Sequence, residues 1–65
     1  MKKIVKVLKG ERHFSKEGRE FWLSTIICDD QEKYTVAHSK IAEVGDEVQT
    51  FYDDRYQKPK AKYPL

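Results

Sequence analysis

Three sets of side chains in this sequence could do chemistry. The largest is aromatic: Phe14, Phe21, Trp22, Tyr34, Phe51, Tyr52, Tyr56 and Tyr63 put eight rings into 65 residues. Lys16, Arg19, Lys33 and Arg55 lie close to several of them in sequence. Exposed rings beside cations suit a single-stranded nucleic acid, because every base offers a face to stack and every linkage a phosphate to neutralise. The second set is two carboxylate pairs, Asp29-Asp30 and Asp53-Asp54, with Glu32 near the first. Such groups can hold Mg²⁺ in a nuclease. Neighbours on a strand point to opposite faces, however, and hairpin loops favour Asp for turn reasons, so no metal site is expected. The third set is His13, Cys28 and His38. Their separations of 15 and 10 residues match no close-ligand zinc spacing. No neighbour that would activate a Cys-His nucleophile can be named, and Cys28 reads as a small buried hydrophobe. Gly10, Gly18 and Gly45 are scattered and form no phosphate loop. Neither a cofactor nor an enzymatic role is expected.

Short strands must position these groups. Residues 2–9, Lys-Lys-Ile-Val-Lys-Val-Leu-Lys, are rich in β-branched side chains and predict a first strand, running past Gly10 to Phe14 with a kink at the glycine. Ser15-Lys16-Glu17-Gly18 is a turn with Gly18 available for positive φ. Residues 20–28 form the clearest strand. Alternation puts Phe21, Leu23, Thr25 and Ile27 on one face and Trp22, Ser24, Ile26 and Cys28 on the other. Both faces are largely apolar, as in a barrel wall or a strand with one binding face. Residues 29–33 make a polar hairpin loop and residues 34–38 a third strand. Ser39 to Gly45 fits a short helical turn, capped by Ser39 and stopped by Gly45. Val48 to Tyr52 is a fourth strand. Arg55-Tyr56-Gln57 is the expected fifth. Lys58 to Leu65, with two prolines and three lysines, reads as an extended mobile tail.

These elements predict an all-β fold with small α content: a five-stranded barrel of the oligonucleotide-binding type with one short helical turn, and an SH3-like barrel as the rival. The domain spans residues 1–57 and a basic tail residues 58–65. At this length a core is marginal alone, so a partner subunit is expected, most simply in a two-fold homodimer. A single cysteine excludes an internal disulfide and suits a reducing compartment. No apolar run is long enough to span a membrane. Met1-Lys2-Lys3 resembles the start of a signal peptide, but Lys6 and Lys9 interrupt the apolar segment one needs. The expectation is a cytoplasmic chain with no membrane partner.

The net charge of +2 hides an uneven layout. Residues 1–9 carry +4, residues 55–65 carry +4, and all eleven acids lie in residues 10–54, which sum to −6. Two basic ends that meet in space would form one basic patch.

From Gly18-Arg19-Glu20-Phe21-Trp22-Leu23 onward the chain resembles the single-stranded-DNA-binding, helix-destabilising proteins of filamentous phages. Those open a strand with Gly-Lys-Pro-Tyr-x-Leu and end it at a Cys, as this one ends at Cys28. Tyr34-Thr35-Val36, Val44-Gly45, Asp54-Arg55 and Pro59-Lys60-Ala61-Lys62 follow in similar order. The resemblance covers about two-thirds of the chain through short motifs. It implies a dimeric barrel that coats single strands cooperatively, in the cytoplasm of a host cell. It makes Phe21 a base-stacking ring, Leu23 its apolar neighbour, and Lys16 and Arg55 phosphate contacts. The chain departs from the family in being shorter, in Phe21 for the Tyr, in Glu20 for the Pro, and in a truncated hairpin loop.

The leading reading is a sequence-tolerant single-stranded-DNA-binding protein of phage or plasmid replication, with RNA as the other candidate strand. Its expected contacts are Lys16, Arg19, Phe21, Trp22, Leu23, Lys33, Tyr34, Arg55 and Tyr56. The alternative is a protein-interaction module whose aromatic face docks a replication or host factor. The acidic middle segment favours that rival.

Overall fold

A computed structural model describes residues 1–64 of the chain. Five strands form one sheet: β1 (Lys2–Phe14), β2 (Glu20–Cys28), β3 (Lys33–His38), β4 (Glu47–Asp53) and β5 (Lys58–Lys62). They close into a barrel in the order β1-β2-β3-β5-β4. β3 and β5 run parallel while the other neighbours are antiparallel. The fold is the expected small five-stranded all-β barrel, without the expected helical content among the described residues. Among the described residues no helix is long and apolar enough to cross a membrane.

Alternation along β2 decides its two faces as its sequence predicts. Ser24, Ile26 and Cys28 are buried, while Phe21, Leu23, Thr25 and Ile27 lie half-buried on the outside. Ile4, Val36, Val48 and Ala61 meet Ile26 and Cys28 in the centre. The core is small, and its fully covered large side chains are chiefly Ile and Val. β-branched residues suit a pleated wall, and here they also fill the interior.

β1 reaches Phe14 as expected, but it bends elsewhere. Its register against β2 shifts between Ile4 and Lys6 and again between Val7 and Lys9. Two bulges thus fall at Val5 and Leu8, whose side chains are exposed, and not at Gly10. Gly10 serves a different purpose. A Cβ there would run into the side chain of Ile41, which sits over the glycine beside the Trp22 ring.

The helical turn expected at Ser39–Gly45 does not form; the segment is an irregular loop. Its donors find other partners. Ala42 N–H donates to the Ser24 hydroxyl at 3.2 Å and Glu43 N–H to the Asp46 carboxylate at 3.2 Å. Gly45 N–H reaches the Ile4 carbonyl at 2.8 Å. Gly45 does adopt the positive φ (98°) that ends such a segment.

The fifth strand corrects the sequence reading. Residues 54–57 are a turn, with Gln57 at φ 52°, and β5 is Lys58–Lys62. The stretch read as a mobile tail pairs with β4 from Gln49↔Lys62 to Asp53↔Lys58 and with β3 at Thr35↔Lys60 and Val36↔Ala61. It closes the barrel, so the domain extends past residue 57. Leu65, the last residue of that expected tail, lies outside the described residues.

Candidate nucleic-acid interface

Directly paired residues share a face. The registers Lys9↔Thr25, Thr25↔Thr35, Thr35↔Lys60 and Lys60↔Phe51 therefore draw one row across the outer surface of all five strands. The next row contains Glu11, Leu23 and Ala37, and Lys62 on β5 lies beside it. Where these rows meet β5 the surface dips into a groove of about 330 Å³ lined by Leu23, Thr35, Phe51, Asp53, Arg55 and Lys60 among others. A separate cleft, lined by Met1, Lys2, Gln49 and Thr50, brings no ring beside its cation.

The groove combines rings and cations. Phe51 is 43% exposed, and Lys62 Nζ lies 6.0 Å from its ring centroid. Tyr56, on the β4–β5 turn, is 62% exposed. Lys60 Nζ sits 4.4 Å from the Tyr56 centroid and the Arg55 guanidinium 5.9 Å away. These contacts are in the range of cation–π attraction and hold the cations near the rings. One acid is present. Asp53 pairs with Lys60 at 3.1 Å and with the Arg55 guanidinium at 3.8 Å, and accepts the Arg55 N–H at 3.0 Å. The Lys60 hydrogen bond, ahead of the two others, holds the Asp53 carboxyl below its usual range. Lys33 and Lys58 line the adjoining cleft with Thr25, Thr35 and Pro59, so cations continue along β3 and β5.

The expected contact residues divide. Leu23 and Arg55 line the groove, and Tyr56 stands at its rim. Phe21 is on the same outer face, stacked on His13 with centroids 5.6 Å apart. His13 in turn hydrogen-bonds Glu11 at 3.2 Å. Lys16 and Arg19 sit exposed on the β1–β2 turn, where Arg19 approaches Glu17 at 3.9 Å. Lys33 is exposed at the start of β3.

Two expected rings are placed otherwise. Trp22 belongs to the inward face of β2 and packs at the barrel end near Gly10 and Ile41. Tyr34 is only 9% exposed, and its hydroxyl donates to Asp30 at 2.6 Å. It is core and cannot stack on a base. That hydrogen bond, followed by burial, raises the Tyr34 phenol. Asp30 also meets Lys2 at 3.1 Å, so the Asp29-Asp30 and Asp53-Asp54 pairs are engaged separately. Among the described residues no three His, Cys, Asp or Glu groups come together. Burial raises the Cys28 thiol, which keeps it protonated and inert.

Thr35, Phe51, Asp53, Lys60 and Lys62 line the groove and were left out of the expected contacts, as was Lys58 in the adjoining cleft. A usable signal existed in Lys58-Pro59-Lys60-Ala61-Lys62. Alternation puts three lysines on one side of any strand formed there, with Ala61 on the other. Comparison of the chain with protein-family models, curated proteins and solved structures finds no match.

Proposed function

We propose that this chain is a non-enzymatic single-stranded-DNA-binding protein with little sequence dependence, working in phage or plasmid replication. The observation that carries the reading is the groove, where exposed Phe51 and Tyr56 stand against Lys62, Lys60 and Arg55 on the outer face of β2, β3, β5 and β4. Bases stack on Phe51, Tyr56 and Phe21, each worth about 1–3 kcal/mol by ring removal. Phosphates take Lys33, Lys58, Lys62 and Arg55, with Lys16 and Arg19 at the β1–β2 turn. A duplex hides its base faces and gains only the charge term. A homodimer fits the small core and the edge of β1, which pairs with β4 only at Lys2 and Lys3 and exposes Val5 and Leu8.

Fluorescence anisotropy of a labelled oligothymidine tests this. We expect tight binding at low salt, weaker binding to a duplex of equal length, and log affinity that falls linearly with log salt. Salt-insensitive binding, or equal affinity for duplex, rejects it. Retention of a protein partner with no binding to any oligonucleotide would favour the interaction module. Trp22 is a weaker reporter than its position in sequence suggests, since its ring lies on the inward side.

A further inference from the structure

Asp53 is out of place in a groove for phosphates. Its side chain is only 10% exposed, yet it lines the groove and points among cations. A carboxylate has about four lone-pair positions. Two are used, by the Arg55 N–H and by Lys60 Nζ, while the Arg55 guanidinium at 3.8 Å is too far for a hydrogen bond. Phe51 lies two residues earlier on the same face of β4, about 7 Å along the strand. A base stacked on Phe51 therefore has its edge near the Asp53–Lys60 pair.

The ionised Asp53 carboxylate offers only acceptors and cannot hydrogen-bond a phosphate oxygen, whereas a base edge that carries donors can meet its free lone pairs. The edge must offer donors to the carboxylate. Guanine alone presents two adjacent donors, N1–H and the 2-amino group, with an acceptor, O6, alongside for Lys60. Adenine and cytosine place a ring-nitrogen lone pair next to their amino group. Thymine flanks its single N–H with two carbonyl oxygens. Each would turn at least one acceptor toward the carboxylate, and an unpaired acceptor in a desolvated site is unfavourable.

We infer that Asp53 and Lys60 form a guanine-preferring subsite within the groove, where one guanine of the bound strand stacks on Phe51 and gives its two Watson–Crick donors to Asp53. The inference rests on the proposed function and adds a local preference to an otherwise sequence-tolerant surface.

Competition against labelled oligothymidine tests it. The competitors are unlabelled oligothymidine, the same strand with one central deoxyguanosine, and the same strand with one central deoxyinosine, which keeps O6 and N1–H but lacks the 2-amino group. For the wild-type protein we expect the guanine strand to compete about tenfold better than oligothymidine, with the inosine strand between them. In Asp53→Asn, the amide oxygen still accepts the Arg55 N–H but the second acceptor is gone. The guanine advantage should shrink to less than about twofold while oligothymidine binds more tightly, because a negative charge has left the groove. Equal competition by the guanine and inosine strands on the wild-type protein overturns the subsite without any variant. An undiminished guanine advantage in a folded Asp53→Asn, with folding checked by circular dichroism, overturns the role of Asp53. Oligothymidine binding with no guanine gain defeats this inference alone; no binding by any strand defeats the functional reading with it.

Discussion

The groove face and the loop-closed end of the barrel are built from the same residue types and use them differently. At the closed end the Tyr63 hydroxyl donates to Asp46 at 2.7 Å and its ring lies against His38, centroids 4.3 Å apart. Asp46 also accepts from Glu43, and Ser24 from Ala42. Ile41 covers Gly10. Polar groups there meet one another, so the tyrosine is architecture. In the groove, Phe51 and Tyr56 lie against Lys62 and Lys60, whose long side chains can turn to a phosphate. In the proposed interface the rings meet cations, whereas at the closed end they meet hydrogen-bond partners that belong to the frame.

Core and groove should separate most sharply on substitution. Ile26 is fully buried at the centre of β2. Ile26→Ala should destabilise by about 2–5 kcal/mol through lost burial and a cavity. A core in a chain this short rarely supplies more than about 3–5 kcal/mol. We therefore expect Ile26→Ala to be largely unfolded at room temperature by circular dichroism. Retention of a cooperative melt close to wild type would mean that the barrel does not depend on this centre.

Phe51→Ala is the converse. The ring is partly exposed, so its loss should leave the thermal midpoint within a few degrees. Binding to oligothymidine should weaken by ten- to a hundredfold, following the roughly 1–3 kcal/mol of a stacked base. A variant that loses stability but keeps affinity would move Phe51 into the frame and remove the groove as the interface.

This contrast also explains what could be read from the sequence. The two faces of β2 follow from alternation, because each side chain there has one available direction, but both faces are largely apolar, so the sequence left open which of them is outward. Tyr34 was misplaced because a tyrosine reads alike whether its hydroxyl meets water or Asp30, four residues upstream on a hairpin. β5 was misplaced for a different reason. Lys58 to Lys62 contributes one small buried side chain, Ala61, and has no strand propensity to announce it. Its strand character comes from pairing with β3 and β4, at sequence separations no local pattern carries. Phe51, Lys60 and Lys62 became neighbours only through that pairing. At Ser39 to Gly45 the capping signal was real, but Ser24 and Ile4 supplied partners for Ala42 and Gly45 from elsewhere in the barrel, and the loop took those instead.

The closed end should respond to pH in a way the groove does not. Burial, and then the hydrogen bond to Asp46, raises the Tyr63 phenol above its usual value. The unfolded chain gives up the same proton near pH 10. The stabilisation is thus complete below about pH 10 and is lost as pH rises from there through the higher folded value. Melts followed from pH 8 to pH 11 should show the wild-type midpoint falling above about pH 10. Tyr63→Phe should lose about 0.5–1.5 kcal/mol at neutral pH and fall less steeply in alkali. An identical alkaline slope in the variant would show that Tyr63 is not the group responsible and would leave Tyr34, also raised, as the alternative.

The smallest effect is also the finest test of the comparison. Lys62 and Lys40 are both exposed lysines; one borders the groove and the other lies on the loop at the closed end, near His38 and Tyr63. Removing either changes the net charge by the same amount, so any general attraction of the protein for a polyanion weakens equally. Only a lysine in contact with phosphate releases a counterion on binding. Lys62→Ala should therefore flatten the slope of log affinity against log salt by about 0.7, the single-strand value for one phosphate contact, and Lys40→Ala should leave the slope unchanged. Equal slopes for the two variants would mean that the strand is held by overall charge and not by this face. The barrel's asymmetry would then belong to its folding alone.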